Sequence, residues 1–476
     1  MTAKPAPAAG PARLGFREIY ALVFGLFLGL ALLKFGNPVI LDHQVLPPKG
    51  LAEAIDVSWP VLWGNLSLLV LTLAALPLAF GGPRPAARPA TLADLAPWVL
   101  PLLWLGWQFG AAAHSVDAAL TTVTLTHLTA CVGCFLIGRF ALGKVGNPRL
   151  LLLGLLAALA LCVVRGVNQH TVEFKHDRQA LVEGQSSGWT NFPAEALTEM
   201  KRNGLVLHTN GVDIANPVIL LKLERGRING TLVYPNAFAG VLLLLLPAAL
   251  ALAVFGTLEM KRPIRALLLT LVAGLGFGCL YWTGSKSGWL IALGLGAGCL
   301  FRLKWSRRWK TIALVGLMVL GLAAFAVKFR TYFAAGATSV SARFDYWRAA
   351  AQTTAENPWF GTGPGTFQRP YARLKAPEAE MARLVHNDYL EQFSDSGLVG
   401  GVTYLAWIGL LFTVLARKYA TEKDPLWFAL FLGLAGWFVQ GFVEFGLYIP
   451  ALAWTAFTLA GVLVAAPVPE AARRPR

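Results

Sequence analysis

The sequence predicts an all-α integral membrane protein with about twelve transmembrane helices and a large extracytoplasmic loop between the ninth and the tenth. Hydrophobic residues make up 56% of the 476 residues and charged residues only 14%, which is unlike the composition of soluble globular chains. Mean hydropathy is positive. The 16 Trp residues suit a protein that anchors itself at two membrane interfaces.

Twelve stretches approach the ~20 mostly apolar residues that a membrane-spanning helix needs. They lie near 18–36, 60–80, 95–113, 119–138, 150–168, 233–255, 264–283, 287–301, 311–328, 398–416, 425–445 and 448–466. The first stretch follows Arg13 and Arg17 but lacks a small-x-small cleavage site, so we expect an uncleaved span rather than a signal peptide. The prediction is a cytoplasmic tail at 1–17, a membrane domain at 18–466 and a second cytoplasmic tail at 467–476.

The basic residues predict the orientation of these spans. If the N-terminus is cytoplasmic, the cytoplasmic segments hold 22 of the 41 Lys and Arg residues and few acids, as the positive-inside rule requires. These segments are 1–17, 81–94, 139–149, 256–265, 302–310, 417–424 and 467–476. The long loops 169–232 and 329–397 are then extracytoplasmic. The net charge of +16 lies against the anionic inner leaflet, so no nucleic-acid partner is expected.

Two basic residues precede predicted spans at the outer edge of the membrane. The loop 169–232, expected to form short amphipathic helices on the membrane surface, ends in a segment containing Arg227. This arginine either anchors the helix or binds phosphate through its bidentate guanidinium. Lys286 lies in a short Ser- and Gly-rich turn, where it either snorkels or binds an anion together with nearby amides and hydroxyls.

The loop 329–397 contains the strongest candidate for a base. A surface helix carrying Arg343 is predicted to stop near Asn357-Pro358, before a Gly-rich turn at 361–366. This turn lacks the Gly-Lys-Ser/Thr ending of a nucleotide P-loop and lies on the side without ATP, so nucleotide binding is disfavoured. His386 precedes a predicted helix at 388–396, where the helix N-terminus favours the neutral imidazole that accepts a proton. The alternative is an ordinary surface histidine.

Two acids complete the candidates. Asp388 is a possible cap of the helix after His386, and Gly397 its stop. Glu444, near the outer end of the eleventh span, is an intramembrane acid with a possible role in an ion pair or a substrate pathway.

Other polar residues favour structural interpretations. His127 falls within a span and is expected to be a packed histidine bonded to a neighbouring helix. His114 and Asp117 are expected to be solvated residues of a short turn. Cys131 and Cys134 have a metal-like spacing without a second pair, so contacts between helices are the better account.

Four motifs, in this order, resemble the O-antigen ligase and polymerase superfamily. They are Arg-x-x-Gly-Thr followed by Pro-Asn-x-x-Ala (227–239), Thr-Gly-Ser-Lys-Ser-Gly (283–288), Gly-x-Gly-Pro-Gly-Thr-Phe (361–367), and His-Asn-Asp-Tyr-Leu with Gly-Leu-Val-Gly (386–400). Each motif alone is weak, but together they are fairly specific, and the resemblance extends from 225 to 416.

The resemblance implies a GT-C-type, inverting glycosyltransferase of the bacterial inner membrane that needs no metal or other cofactor. Its donor would be a glycan on undecaprenyl pyrophosphate, bound at the periplasmic face. His386 would be the base for the acceptor hydroxyl, and Arg227 and Lys286 would bind the pyrophosphate. Lysine at 286 departs from the arginine usual in the family and loses the bidentate fork. Asn236, Arg343, Asp388 and Glu444 are the further candidates for substrate binding.

Several activities share these motifs. A ligase transfers the glycan to a lipid A–core sugar, a polymerase to another repeat unit, and an oligosaccharyltransferase to protein. Twelve spans and one dominant loop near the C-terminus favour the ligase slightly. A polysaccharide transporter or flippase is a different class; it would show internal repeats and charges at mid-membrane, whereas here the charges gather at the outer edge.

Overall fold

A computed structural model describes residues 14–81, 92–145, 147–334, 338–419 and 422–466, which are almost entirely helical. The helices before residue 169 are α1 (Phe16–Lys34), α2 (Leu51–Asp56), α3 (Val61–Phe80), α4 (Leu92–Ala112), α5 (Ala118–Phe140) and α6 (Arg149–Asn168). A π-helical turn, Gln169–Glu173, joins α6 to a small subdomain of α7 (Phe174–Ser186), α8 (Ala194–Arg202), β1 (Val206–Thr209), β2 (Val212–Ala215) and α9 (Pro217–Arg225).

The rest of the chain supplies the other half of the helices. They are α10 (Pro235–Phe255), α11 (Arg262–Thr283), α12 (Lys286–Arg302), α13 (Arg307–Ala334), α14 (Thr338–Glu356), α15 (Gln368–Leu374), α16 (Asp388–Tyr419), α17 (Pro425–Gln440) and α18 (Pro450–Ala465). Short 3₁₀ turns occur at Val39–Gln44, Leu142–Lys144 and Gly446–Tyr448. The described residues contain no other strand than the two-stranded hairpin.

Eight helices in the described part of the chain are long and apolar enough to cross a membrane: α1, α3, α5, α6, α10, α11, α13 and α16. Helices α17 and α18 are apolar but shorter. The multi-pass membrane architecture is thus confirmed. Each of the twelve predicted segments lies on a helix, but the count of twelve crossings stays a prediction.

Close helix packing depends on glycine at several contacts. Helix α5 packs along α18, and α10 packs along α17. A side chain at Gly461 of α18 would collide with the carbonyl of Phe135 in α5, and one at Gly433 of α17 would collide with the carbonyl of Leu244 in α10. Small residues therefore let these backbones approach, as membrane helices commonly require.

The loop 169–232 folds around a small core of its own. Its short helices were predicted, but the hairpin was not. Strands β1 and β2 pair antiparallel from Val206↔Ala215 to Thr209↔Val212, and the turn Asn210-Gly211 has φ of 54° and 78°. Two positive φ angles are the requirement of a type I′ hairpin turn, for which Asn-Gly is the preferred pair. Trp189, 4% exposed, packs beneath this hairpin.

The loop 329–397 is also largely helical. Helix α14 ends at Glu356, so the predicted stop near Asn357-Pro358 is confirmed. The predicted turn at 361–366 follows, with positive φ at Gly361, Gly363 and Gly365. Helices α14 and α15 share a small core that includes Tyr346, Tyr371 and Val385.

Helix α16 begins two residues after His386 and breaks once. The predicted cap is wrong: the side chain of Asn387, not that of Asp388, accepts hydrogen bonds from the amides of Tyr389 and Leu390, both at 3.0 Å. The predicted stop is confirmed as a break, because Ser396 and Gly397 leave the helical conformation. The helix then resumes and continues to Tyr419.

Candidate active site

The carboxylate of Glu444 is the centre on which several of the predicted site residues converge. Glu444 lies in the turn after α17 and is 2% exposed. Its Oε1 accepts hydrogen bonds from Asn236 Nδ2 at 2.7 Å and from Arg343 Nη2 at 2.6 Å. Its Oε2 accepts one from Tyr234 Oη at 2.7 Å. Three distant parts of the sequence thus meet at one buried charge.

Asn236 links this carboxylate to Arg227. It lies in the first turn of α10, which begins at Pro235, a residue with a backbone suited to the first helical position. While its Nδ2 donates to Glu444, its Oδ1 accepts from Arg227 Nη2 at 2.8 Å. Arg227 Nε donates to the carbonyl of Thr283 at 2.8 Å. One nitrogen of this guanidinium, Nη1, has no part in these two bonds and is free to bind an anion.

The guanidinium of Arg227 is largely shielded from solvent. Burial lowers the pKa of its guanidinium, and the neighbouring carboxylate of Glu444 opposes that shift. An arginine stays protonated even so, because its ordinary pKa is far above neutrality. Arg227 is therefore a fixed positive charge in a weakly screened position.

His386 faces the other side of Glu444. Its Nδ1 lies 3.6 Å from Glu444 Oε2, and its ring packs against Tyr346 and Phe445 with centroid separations of 5.8 and 4.7 Å. The backbone φ of His386 is +54°, which an L-residue adopts only at a cost of about 1–3 kcal/mol. The side chain is 27% exposed, so the ring is accessible from one side.

Lys286 lies three residues after Thr283, the carbonyl of which binds Arg227. It is the first residue of α12, next to Ser285, whose side chain caps the helix by accepting from the amide of Gly288 at 3.2 Å. The Lys286 amine lies 3.7 Å from the ring centroid of Tyr332 and 5.3 Å from that of Phe329. The structure therefore directs this amine towards α13, while the carbonyl three residues earlier, that of Thr283, binds Arg227.

Asp388 is close to the site but turned away from it. Its carboxylate, in a side chain 3% exposed, accepts from the amide of Leu447 at 3.1–3.2 Å. Its own amide donates to the carbonyl of Gly441 at 2.7 Å. These bonds fasten the turn that carries Glu444 to the start of α16.

The structure also tests the residues interpreted as structural. His127 is 1% exposed and bonds the carbonyl of Leu447 through Nε2 at 2.7 Å, which confirms a packed histidine. The solvated interpretation of Asp117 is wrong: this residue caps α5 and pairs with Arg369 at 2.6 Å. His114 stacks on Phe360 with centroids 4.1 Å apart.

Sequence reasoning missed several members of the site. Tyr234 falls within the first motif but was not singled out as a candidate, yet it is one of the donors to Glu444. Tyr346 and Phe445 hold the His386 ring. The signal available for Tyr234 was its place directly before the Pro-Asn pair that opens α10; the two ring contacts had none, because they join segments far apart in the sequence.

An apolar groove of about 930 Å³ lies between α10, α11, α12 and α17. Leu280 and Leu242 line it towards the end of the helices where Arg227 and Asn236 lie. Lys304 and Lys423 line its other end. Its walls are therefore apolar along most of its length and basic at one end.

Comparison with known families agrees with the motif resemblance. The family model described as O-antigen ligase matches residues 271–405, a segment that contains Lys286, Arg343 and His386. No curated protein matches the chain significantly. Arg227 and Glu444 lie outside the matched segment and join it only in space. The match covers 271–405 of the 476 residues, so this segment of the chain is similar to the O-antigen ligase family.

Proposed function

We propose that this protein is a glycosyltransferase that moves a glycan from undecaprenyl pyrophosphate to an acceptor hydroxyl, that of a lipid A–core sugar, at the periplasmic face of the bacterial inner membrane. The observation that carries this proposal is the meeting of His386, Arg343 and the Arg227–Asn236 pair at Glu444. It gives one site both a base and a fixed cation, which transfer from a pyrophosphate donor requires.

The chemical step needs both groups at once. The acceptor hydroxyl oxygen attacks the anomeric carbon as its proton passes to His386. The bond from the anomeric carbon to the pyrophosphate oxygen breaks, and undecaprenyl pyrophosphate leaves with the electron pair. Fixed positive charge from Arg227 and Lys286 stabilises the negative charge that develops on the leaving group. Attack opposite the leaving group inverts the anomeric centre, and this step needs no metal.

Nitrogen Nε2 is the atom of His386 that takes the proton. Nδ1 faces Glu444 and is buried, so Nε2 is left for the acceptor. The free edge of the Arg227 guanidinium supplies the donor side. The amine of Lys286 lies over the ring of Tyr332 in this structure, and in the proposed mechanism it turns to the pyrophosphate when the donor binds. Asn236 and Arg343, also predicted to bind substrate, hold the site together through their bonds to Glu444.

The groove between α10, α11, α12 and α17 suits the lipid part of the donor. A polyprenyl chain is apolar throughout, as are most of the groove walls. Leu280 lines this groove and is three residues from Thr283, the carbonyl of which binds Arg227. If Arg227 holds the pyrophosphate, the attached polyprenyl chain would therefore enter the groove directly.

Replacement of His386 by alanine tests the base. We expect His386→Ala to abolish transfer without loss of expression or fold, because the side chain is 27% exposed and its buried Nδ1 makes no hydrogen bond. The assay is complementation of a deletion strain, with the surface glycan analysed on gels and the protein quantified in membranes. His176→Ala is the matched control, because His176 is an exposed histidine of α7. A fully active His386→Ala variant would exclude His386 as the base.

The deletion strain also separates the ligase from its relatives. Unmodified lipid A–core with accumulated long lipid-linked chains indicates a ligase. A single repeat unit on the core indicates a polymerase, and loss of glycan from protein alone indicates an oligosaccharyltransferase. Loss of precursor export would instead indicate a transporter.

A further inference from the structure

We propose that Glu444 is the positioning residue of this site. Its carboxylate sets the tautomer and orientation of His386, and through Asn236 it also fixes the position of Arg227 relative to His386. This inference rests on the proposed function. In this role Glu444 binds side chains of the protein itself and does not bind the substrate.

The first argument is the hydrogen bonding of the carboxylate. Glu444 accepts from Asn236, Arg343 and Tyr234 at 2.6–2.7 Å. The side chains of Glu444 and Arg343 are 3% and 17% exposed, so the pair is shielded from solvent. A carboxylate that already accepts three short bonds inside the protein has little capacity left for a sugar hydroxyl.

The second argument is the geometry at His386. Its Nδ1 is buried and makes no hydrogen bond, and it lies 3.6 Å from Glu444 Oε2. A shift of about half an ångström brings the two atoms within hydrogen-bond range. Catalytic hydrogen bonds are often long in ligand-free structures and shorten in the substrate complex. The unpartnered nitrogen is thus directed at the one oxygen of Glu444 that accepts only a single bond.

The tautomer follows from this geometry. A carboxylate accepts but does not donate, so it favours the imidazole that carries its proton on Nδ1. Nε2 is then the unprotonated nitrogen and faces the acceptor. When Nε2 takes the proton of the hydroxyl, the resulting imidazolium is adjacent to a negative charge, which stabilises it.

The same carboxylate reaches the donor side. Asn236 uses one end of its amide to bond Glu444 and the other to bond Arg227 at 2.8 Å. Arg227 in turn is bonded to the end of α11 through the Thr283 carbonyl. A chain of hydrogen bonds thus connects the base with the cation that binds the leaving group.

The test combines a spectroscopic and a functional measurement on the full-length protein. Protein labelled with ¹⁵N in histidine is purified without ligand, and the ring nitrogens of His386 are identified by the signals lost in His386→Gln. We expect Glu444→Gln to shift these signals from the Nδ1–H form towards the Nε2–H form. Complementation of the deletion strain should show transfer reduced about 100-fold, the order of a general-base contribution.

Asp42→Asn is the matched control, because it makes the same change from carboxylate to amide. Asp42 is part-buried, its Oδ1 accepts from the amide of Val61 at 2.8 Å, and it takes part in none of the bonds that hold His386. Its substitution should leave the His386 signals and transfer unchanged. If Glu444→Gln fails to fold, Glu444→Asp provides the same two readouts, because it keeps the charge but withdraws it from the ring.

Unchanged His386 signals or unchanged transfer in a folded Glu444 variant would overturn the inference. That outcome is distinct from failure of the proposed function. An inactive His386→Ala with a fully active Glu444→Gln rejects only the role of Glu444, whereas an active His386→Ala rejects the base itself.

Discussion

The backbone conformation of His386 is uncommon. A positive φ is rare outside glycine, although histidine adopts it more often than most residue types, and it costs free energy that surrounding contacts must offset. Those contacts are present on both sides. The amide of Val385 donates to Glu391 Oε2 at 3.2 Å, and Asn387 caps α16 with two bonds. The strain therefore falls on the one residue whose ring is aimed at Glu444.

Lys286 provides a prediction about donor binding. Removing its charge in Lys286→Ala should weaken binding of undecaprenyl pyrophosphate by about 10- to 100-fold, the range expected for a lost charged hydrogen bond. Lys286→Arg should bind as well as the wild type or better, because arginine keeps the charge and adds a bidentate fork. The measurement is titration of purified protein with undecaprenyl pyrophosphate.

The control for Lys286 is another cation near the same end of the helices. Arg330 is exposed on α13, so Arg330→Ala should leave binding within about twofold, as is usual for surface charges. Equal losses in the two alanine variants would point to a general effect of charge. Loss of binding in Lys286→Arg would contradict the assignment of this position to pyrophosphate.

At the scale of elements, the ends and breaks of helices that depend on local residues could be predicted from the sequence. The end of α14 before Pro358 follows from the restriction that proline places on the residue before it. The break of α16 at Gly397 follows from a positive φ that glycine adopts readily. The hairpin also had a local signal, Asn210-Gly211 between alternating apolar residues. It was missed because the whole loop was interpreted as helices on a membrane surface.

Gly397 provides a prediction about stability. Its φ of +67° and ψ of −169° suit only glycine, and a Cβ there would collide with the carbonyl of Trp359. Gly397→Ala should therefore destabilise the protein by about 2 kcal/mol or more, since both backbone strain and a clash must be relieved. The measurement is the thermal unfolding midpoint of the purified protein.

Gly409 of the same helix is the matched control. A Cβ at this position would meet nothing within 4 Å, so Gly409→Ala should keep or slightly raise the midpoint, since alanine favours a helix over glycine by ~1 kcal/mol. If Gly397→Ala unfolded at the wild-type temperature, the break in α16 would not be needed for the fold.

At the scale of the whole molecule, the site is assembled from segments that the sequence keeps apart. Arg227, Lys286 and His386 were recognised from their motifs, Arg343 from a predicted surface helix and Glu444 from its place near the end of a span. The meeting of His386, Arg343 and Asn236 at Glu444 was not predictable, because 58 positions separate Glu444 from His386 and 208 separate it from Asn236. Such contacts depend on how helices pack, and no local pattern in a single sequence encodes that.

Membrane orientation is the last prediction, and the mechanism depends on it. Serines at 186 and 306 are both exposed, one at the end of α7 and the other in the basic turn before α13. In a Cys299→Ala background, which removes the one exposed cysteine among those described, Ser186→Cys should react with a membrane-impermeant maleimide in spheroplasts. Ser306→Cys should react only after permeabilisation, because Lys- and Arg-rich turns stay cytoplasmic.

The reverse labelling pattern would contradict both the predicted topology and the proposed function. The two serines lie in segments predicted to be on opposite sides of the membrane, so each is the control for the other. If Ser306→Cys reacted from outside, the cluster at Glu444 would face the cytoplasm. His386 and Arg227 would then lie away from a donor presented at the periplasmic face, and the proposed transfer would be impossible at this site. The proposed chemistry of the site therefore depends on the membrane orientation that the charge pattern predicts.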